Sequence, residues 1–312
     1  MKIYRGIYEL PTGFGPVVAT IGNFDGVHRG HRMVIDEVTT RARALGVSSL
    51  AITFEPHPVK FLRPGSNFKL ITPLKRKLEL MAETGIDATL VLPFNAELSH
   101  MSARSFAAEI LAGAAQAIEV HEGENFRFGF NAEAGIDGLE ILGRELHFAV
   151  KCYAPRALRG GPVSSSRIRT LIAAGEMNQA RALLSRPFAV DSTPAHGRGF
   201  GTKYAVPTIN LAPYAELLPA HGVYATVLTV AGEPFRAVTN VGNRPTFGED
   251  SFAVESYLLN FHPLDLQPDT PLCLAFYKFL RGEKKWPSPE ALKAQIGLDV
   301  KRAQRFFSLA GL

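Results

Sequence analysis

The chain has 312 residues, 46% hydrophobic and 20% charged, which is ordinary globular material and enough for two cores. A formal net charge of +5 suits an enzyme of polyanionic substrates or a nucleic-acid binder, but Lys75-Arg76-Lys77 and Lys284-Lys285 are too short to make a basic stripe and read as solvated element ends. The only cysteines, Cys152 and Cys273, lie far apart in apolar runs, which excludes a disulfide scaffold and a C-x-x-C motif and reads as two reduced, buried thiols.

The first residues, through Pro11, form no signal-peptide core, and no apolar run reaches membrane-spanning length. A soluble, cytoplasmic protein is expected. The first strong element is the apolar run Val18-Ala19-Thr20-Ile21, which breaks into the turn Gly22-Asn23-Phe24-Asp25-Gly26 and then an amphipathic pattern at Val34, Val38, Ala42 and Leu45. A strand, a loop and a helix N-terminus in that order aim backbone N–H groups and the positive end of a helix dipole at a phosphate. The glycines let the backbone come close. His28 and His31, three apart at the helix start, can share one side of the loop and donate to phosphate oxygens as charge builds in a transition state.

Gly46 stops that helix, and Val47 to Phe54 reads as a second strand. The loop Thr53-Phe54-Glu55-Pro56-His57-Pro58 ends it, with His57 either a site residue or a turn histidine held by its prolines. Thr72-Pro73 starts another helix with Thr72 as N-cap, and Gly85 ends it. Asp87 to Phe94 is a third strand, Ser102 caps a helix to about Leu111, and Ala117 to Val120 is a fourth apolar run. The loop Gly123 to Phe130 follows, with the polar Asn125 and with Phe126 and Phe128 alternating as strand residues that pack. The strand His147 to Tyr153 leads to Val163-Ser164-Ser165-Ser166-Arg167-Ile168-Arg169. There Ser165 and Ser166 can cap a helix and Arg169 presents fixed positive charge to a triphosphate. Glu176 to Leu184 is a short helix, and Arg186-Pro187 marks the expected hinge. Strands alternating with helices give a doubly wound parallel α/β sheet for this half.

Beyond the hinge, short strands broken by Gly and Pro, including 222–230, 235–241 and 272–280, suggest a small β-barrel closed by a helix from Pro289 to about Phe307. Gly197, Gly199 and Gly201 precede Lys203 in a glycine-rich run that fits neither the Rossmann nor the Walker pattern.

The run Gly22-Asn23-Phe24-Asp25-Gly26-Val27-His28-Arg29-Gly30-His31 closely resembles the signature of the H-x-G-H nucleotidyltransferase superfamily, in its FMN adenylyltransferase branch. Asn125 in the Phe-x-Phe-Gly loop and Ser165-Ser166 with Arg169 resemble further elements of that branch, which implies a nucleotide contact for Asn125 and leaves Phe126 and Phe128 divided between packing and flavin stacking. In the second half, Pro207-Thr208-Ile209-Asn210, Val241 to Gly248, Val254 to Phe261 and Phe279 to Glu283 resemble riboflavin kinase. The combined resemblance is to the bacterial bifunctional riboflavin kinase/FAD synthetases and covers nearly the whole chain. It implies residues 1–186 as an FMN adenylyltransferase domain and 187–312 as a riboflavin kinase domain.

The resemblance further implies that ATP phosphorylates riboflavin to FMN and that a second ATP adenylylates FMN to FAD, with Mg²⁺ as cofactor. His28, His31 and Glu255 would be catalytic. Gly22, Asn23, Phe24, Asp25, Gly26, Asn125, Ser165, Ser166, Arg169, Gly197, Gly199 and Gly201 would bind nucleotide, and Thr208 and Asn210 would help hold the metal. The implied partners are riboflavin, FMN and ATP, with no nucleic acid or membrane, and a homo-oligomer is left open. The chain departs from the kinase pattern at Thr202 and Ala205, lacking an Arg and one Gly beside the expected ATP phosphates. That motivates one alternative, an adenylyltransferase whose barrel only binds flavin. The basic charge and 21 Phe motivate another, a non-catalytic nucleic-acid-binding protein.

Overall fold

The computed structural model describes residues 1–195, 208–243, 252–262, 264 and 266–312. It divides into two compact units, Met1–Ser165 and Ser166–Leu312. In the first, the strands are β1 (Lys2–Tyr4), β2 (Val17–Ile21), β3 (Ser48–Glu55), β4 (Ala88–Pro93), β5 (Ala117–Gly123) and β6 (Ala149–Tyr153). All five pairings are parallel, in the order β1-β4-β3-β2-β5-β6. The crossovers carry α1 (Arg29–Leu45), α2 (Pro58–Leu62), α3 (Leu74–Ala82), α4 (Ala96–Ser99), α5 (Ala103–Ser105) with the π-helical turns Phe106–Ala114, and α6 (Ile136–Leu146).

Side chains alternate along β2 to serve two cores, as the pleat requires. Val18 joins Ile35, Val38 and Ala42 of α1 and Leu80 and Met81 of α3 on one face. Val17, Ala19 and Ile21 join Phe106, Ile110, Leu111 and Leu139 on the other. This is the doubly wound parallel sheet read from the sequence. The order leaves β2 in one direction through β3 and β4 and resumes on its other side with β5, so the topological switch lies between β2 and β5. Gly46 ends α1 in the left-handed conformation, φ 68°, as its position predicts.

The second unit opens inside α7 (Ser165–Ala173), whose first residue belongs to the first unit, and continues with α8 (Met177–Leu184). Its sheet is built from β7 (Phe188–Ser192), β8 (Thr208–Asn210), β9 (Gly222–Val230), β10 (Glu233–Asn243), β11 (Phe252–Leu258) and β12 (Leu272–Arg281). These run antiparallel in the order β7-β12-β9-β10-β11-β8. The sheet curls until its two edges meet, with Ala195 N–H bonded to the Asn210 carbonyl and Ala212 N–H to the Thr193 carbonyl, both at 2.8 Å. This is the curled, barrel-like second half that the short strands predict. Thr226, Thr239 and Ser256, all fully buried, satisfy one another across β9, β10 and β11 at 2.6 and 2.8 Å. The closing helix α9 (Pro289–Ala310) packs Ala303 and Phe307 against Val223, Ala225 and Val238. Ser288 caps it, and it runs unbroken through Gly297.

The sequence reading of Cys152 as a buried thiol is corrected. Cys152 is exposed and Cys273 half-buried, because β6 is an edge strand with much of its length facing solvent.

Below the turn that follows β2, a fully buried carboxyl bridges the seam to β5. Glu122 accepts the Ile21 N–H and the Thr20 hydroxyl, the latter at 3.2 Å. Burial lifts this carboxyl well above its ordinary range, against the two hydrogen bonds that favour its ionised form. The folded chain therefore holds a proton there that the unfolded chain releases, and stability falls as pH climbs from the ordinary carboxyl value toward the raised one. Glu122→Gln keeps an acceptor oxygen and cannot ionise. It should match the native chain in stability near pH 4.5 and exceed it above that pH, by about 1.4 kcal/mol per pH unit within the window. Melting curves of both proteins across pH are the check; a difference that ignores pH would mean Glu122 is ionised in the fold.

Candidate active site

The loop after β2 is held in an unfavourable backbone course. Phe24 and Val27 lie at φ 46° and 37°, a region that bulky and β-branched side chains rarely adopt, at a cost of about 1–3 kcal/mol each. Both side chains are buried, which offsets part of that cost. The rest is over-determined by hydrogen bonds. The Asp25 carboxylate, 2% exposed, accepts the backbone N–H groups of Ile71 and Thr72 at 3.1 and 2.9 Å. The Thr72 hydroxyl accepts the Gly26 N–H at 2.9 Å and donates toward Asp25 Oδ1 at 3.3 Å. From the far end of the unit, the Ser165 hydroxyl donates to the Asp25 carbonyl at 2.8 Å.

This loop delivers the chain to α1 with His28 as its N-cap. His28 Nδ1 accepts the His31 N–H at 3.3 Å, so the proton of the neutral ring sits on Nε2. The two imidazoles stack with centroids 3.6 Å apart and planes 17° from parallel, and Phe24 meets His31 edge-on at 5.3 Å. The glycines have specific reasons. A Cβ on Gly30 would lie 3.2 Å from His28 Cε1, and one on Gly22 would lie 3.1 Å from the Phe24 ring. Gly30 thus lets the His28 ring fold over the first helical turn, and Gly22 lets Phe24 tuck under the loop.

The His loop and the loop carrying Asn125 leave the carboxyl ends of β2 and β5, the two strands that flank the topological switch, which is where open α/β sheets bind ligands. Asn125 is exposed on its turn. Of the two neighbouring aromatics, Phe128 is buried against Phe106, and Phe126 is half-buried and stacked on Phe128 with centroids 5.2 Å apart. Both belong to the packing around the core. His57 is buried, accepts the Val59 N–H on Nδ1 at 3.2 Å and lies against Phe68 at 4.7 Å. It caps the short helix α2 and also lines a small cavity with Asn23, Asp25, Glu55 and Thr72.

The structure thus gathers Gly22, Asn23, Phe24, Asp25, Gly26, His28, His31 and Ser165 about one loop. Ser166, exposed, and Arg169, half-buried, lie on α7 in the second unit. In the antiparallel sheet, Glu255 stands opposite Asn210 on β8 and opposite Asn240 on β10, and Thr208 stands opposite Tyr257. Ile209, Val254 and Ser256 are buried, whereas Asn210, Asn240 and Glu255 are partly or fully exposed. The three polar side chains therefore form one row on the face away from the core. Gly197, Gly199 and Gly201 lie outside the described residues.

Two assignments from sequence change. Thr72 does not cap α3, whose N-cap is Pro73, because the Thr72 hydroxyl is engaged by Gly26 and Asp25. Lys77 is not a solvated helix end but is 5% exposed, donating to the Asn23 carbonyl at 3.2 Å, Thr53 Oγ1 at 2.9 Å and the Phe54 carbonyl at 3.4 Å. A signal for Lys77 was present in the spacing: it lies three residues after Leu74 and four before Met81, on the apolar stripe of α3. Thr53 carries no such signal.

The FAD synthetase family matches residues 12–167 and the riboflavin kinase family matches residues 184–307. A bifunctional riboflavin kinase/FMN adenylyltransferase of Pseudomonas fluorescens is 35% identical over 305 residues, covering 97% of this chain and 97% of that one. The protein of the same description from Escherichia coli K12 is 32% identical over 311 residues, covering 99% of each. A crystal structure described as a macrolide-efflux protein from Streptococcus pneumoniae superposes with a TM-score of 0.85 over 97% of this chain and 98% of that one. At 23% identity, that likeness shows the fold alone. On these matches, which run through both halves, the chain belongs to the bifunctional riboflavin kinase/FMN adenylyltransferase family.

Proposed function

We propose that the family's two reactions are divided between the halves of the chain, with the functional boundary at Arg186-Pro187. Residues 187–312 phosphorylate riboflavin to FMN, and residues 1–186 adenylylate FMN to FAD with release of pyrophosphate. The boundary is supported by the riboflavin kinase match, which begins at residue 184, after the FAD synthetase match has ended at 167. ATP and the flavins are the substrates. Matches to both families favour this reading over an adenylyltransferase with an idle barrel and over a nucleic-acid-binding protein. A cytoplasmic location belongs to the same reading, and among the described residues no helix is long and apolar enough to cross a membrane.

The observation that carries the first site is the seating of His28. With Nδ1 accepting the His31 N–H, the proton of the neutral ring is carried on Nε2, at the positive end of α1. A phosphate oxygen of FMN is already a nucleophile, so attack on the α-phosphorus of ATP needs alignment and charge stabilisation rather than an activated Ser or Cys. In this reading His28 and His31 donate to the phosphoryl oxygens while a bond forms from FMN and the bond to pyrophosphate breaks. Gly22, Asn23, Phe24, Asp25 and Gly26 shape the loop that receives the nucleotide, and Asn125, Ser165, Ser166 and Arg169 complete the set.

In the second half, Glu255 accepts or orients the ribityl hydroxyl proton, and Gly197, Gly199 and Gly201 belong to the ATP loop. The adjacent oxygen donors of Thr208, Asn210 and Glu255 suit Mg²⁺, a hard cation that takes few protein ligands and completes its shell with water and substrate phosphate. When bound, it neutralises charge on the transferring phosphoryl group.

Three substitutions separate the halves. His28→Ala should lower FAD formation from FMN on the order of 100-fold or more while leaving FMN formation from riboflavin unchanged. Gly30→Ala, which presses on the His28 ring, should act on the same reaction by roughly tenfold. Glu255→Gln should reverse the pattern, losing FMN formation and keeping FAD formation from supplied FMN. Chromatography of products from ATP, Mg²⁺ and either riboflavin or FMN reads all three; normal FAD synthesis by His28→Ala would remove it from the mechanism.

A further inference from the structure

We propose that Lys77 is a positioning residue for adenylyl transfer: from the buried stripe of α3 its ammonium holds the Asn23 carbonyl, and with it the course of the Gly22–His28 loop, against the carboxyl end of β3. The inference rests on the reading of that loop as the nucleotide site.

The geometry is specific to a cation with three donors. Lys77 Nζ reaches three acceptors from two segments, the Asn23 carbonyl on the loop and the Thr53 hydroxyl and Phe54 carbonyl on β3. An ammonium satisfies all three, and a neutral amine leaves one unmet. A hydrophobic replacement would fill the space and leave both carbonyls without this donor, close to the residues whose left-handed backbone must be held, Phe24 and Val27. Asp25 fixes the other side of the same turn through Ile71 and Thr72. The loop is thus gripped on both sides of Phe24 by groups of opposite charge, both from or toward the segment 71–77.

Lys77 carries its charge at a cost. Burial pushes it down to about 8, against the attraction of Glu55 and Asp25. The groups that share its cavity are Asp25 from the loop, Glu55 from β3 and His57 from the turn after it. As pH rises through about 8 the ammonium becomes an amine, one acceptor loses its partner, and the loop loosens.

The test uses the full chain with FMN, ATP and Mg²⁺, reading kcat and KM against pH. Lys77→Met should lower kcat for FAD formation on the order of 100-fold, with KM for FMN little changed and riboflavin phosphorylation by the same chain unaffected. The native enzyme should show an alkaline limb in kcat near 8, absent in Lys77→Met and moved upward in Lys77→Arg, which keeps its charge and recovers part of the rate. A native chain with no limb near 8, a limb that persists in Lys77→Met, or loss of activity only in step with loss of folded protein, overturns the proposal. If Lys77→Met does not fold, Thr53→Val decides: it removes one acceptor and should shift the limb to lower pH, and an unmoved limb is a negative result. His28→Ala run alongside separates the two claims. If it makes FAD normally, the nucleotide-site reading fails. If it is inactive while Lys77→Met is normal, only the role of Lys77 fails.

Discussion

The first half of the molecule depends on keeping one short turn in a backbone conformation that its own residues disfavour. Phe24 and Val27 could relax their left-handed dihedrals only by withdrawing buried side chains from the core. The turn is further pinned by a buried carboxylate on one side and a buried ammonium on the other. The carboxylate accepts the Ile71 and Thr72 N–H groups, and the ammonium donates to two carbonyls and the Thr53 hydroxyl. Buried charges are costly, and here that cost supports geometry: partners that make the burial tolerable include the peptide groups whose positions set the loop. His28 then begins α1 with its ring oriented by the helix it caps, so the direction of its Nε2 follows from backbone structure.

This arrangement explains what was legible in the sequence. The strand, the glycine turn and the helix were visible because each is a local pattern: an apolar run, Gly22 and Gly26, and apolar residues at helical spacing. His28 and His31 stood out by their place at that junction. The switch between β2 and β5 was only implicit, since strand order depends on pairing between distant segments, but alternation of strands and helices had already restricted the choices. What sequence reasoning lost was the supporting layer. Thr72 before Pro73 has the form of an N-cap, and only the tertiary fold shows that Gly26 and Asp25 take its hydroxyl. Lys77 reads with its exposed neighbour Lys75 as solvated because a run of basic residues suggests solvent, although its helical phase points inward. Cys152 failed for the opposite reason: an apolar run on an edge strand is not thereby buried.

In the second half the readable unit is a register rather than a loop. The strand containing Val254, Glu255 and Ser256 alternates as a half-buried strand should, and pairing with β8 and β10 brings Asn210 and Asn240 beside Glu255. A one-residue slip in either pairing would turn this polar row into the core and expose Ser256, which shares hydroxyl bonds with Thr239 and, through it, Thr226. The buried hydroxyl ladder and the outward polar row are therefore two consequences of the same register. Sequence motifs name Thr208, Asn210 and Glu255 separately, and pairing places them on neighbouring strands.

The segment from Ile71 to Lys77 can now be seen as the second half of the first site, although nothing in it needs to touch a substrate. Its first two peptide N–H groups hold Asp25, its threonine hydroxyl holds Gly26, and one helical turn later its lysine holds Asn23. These contacts come from the turn at Ile71 and Thr72 and from Lys77 on α3, so the loop is held at several points from one segment. Support at several points suits a reaction whose main demand on the protein is to hold phosphates in line. It also separates the roles of the two buried charges from that of His28. In the proposed reaction the histidine is the residue that meets the nucleotide, whereas Asp25 and Lys77 hold the backbone that precedes it.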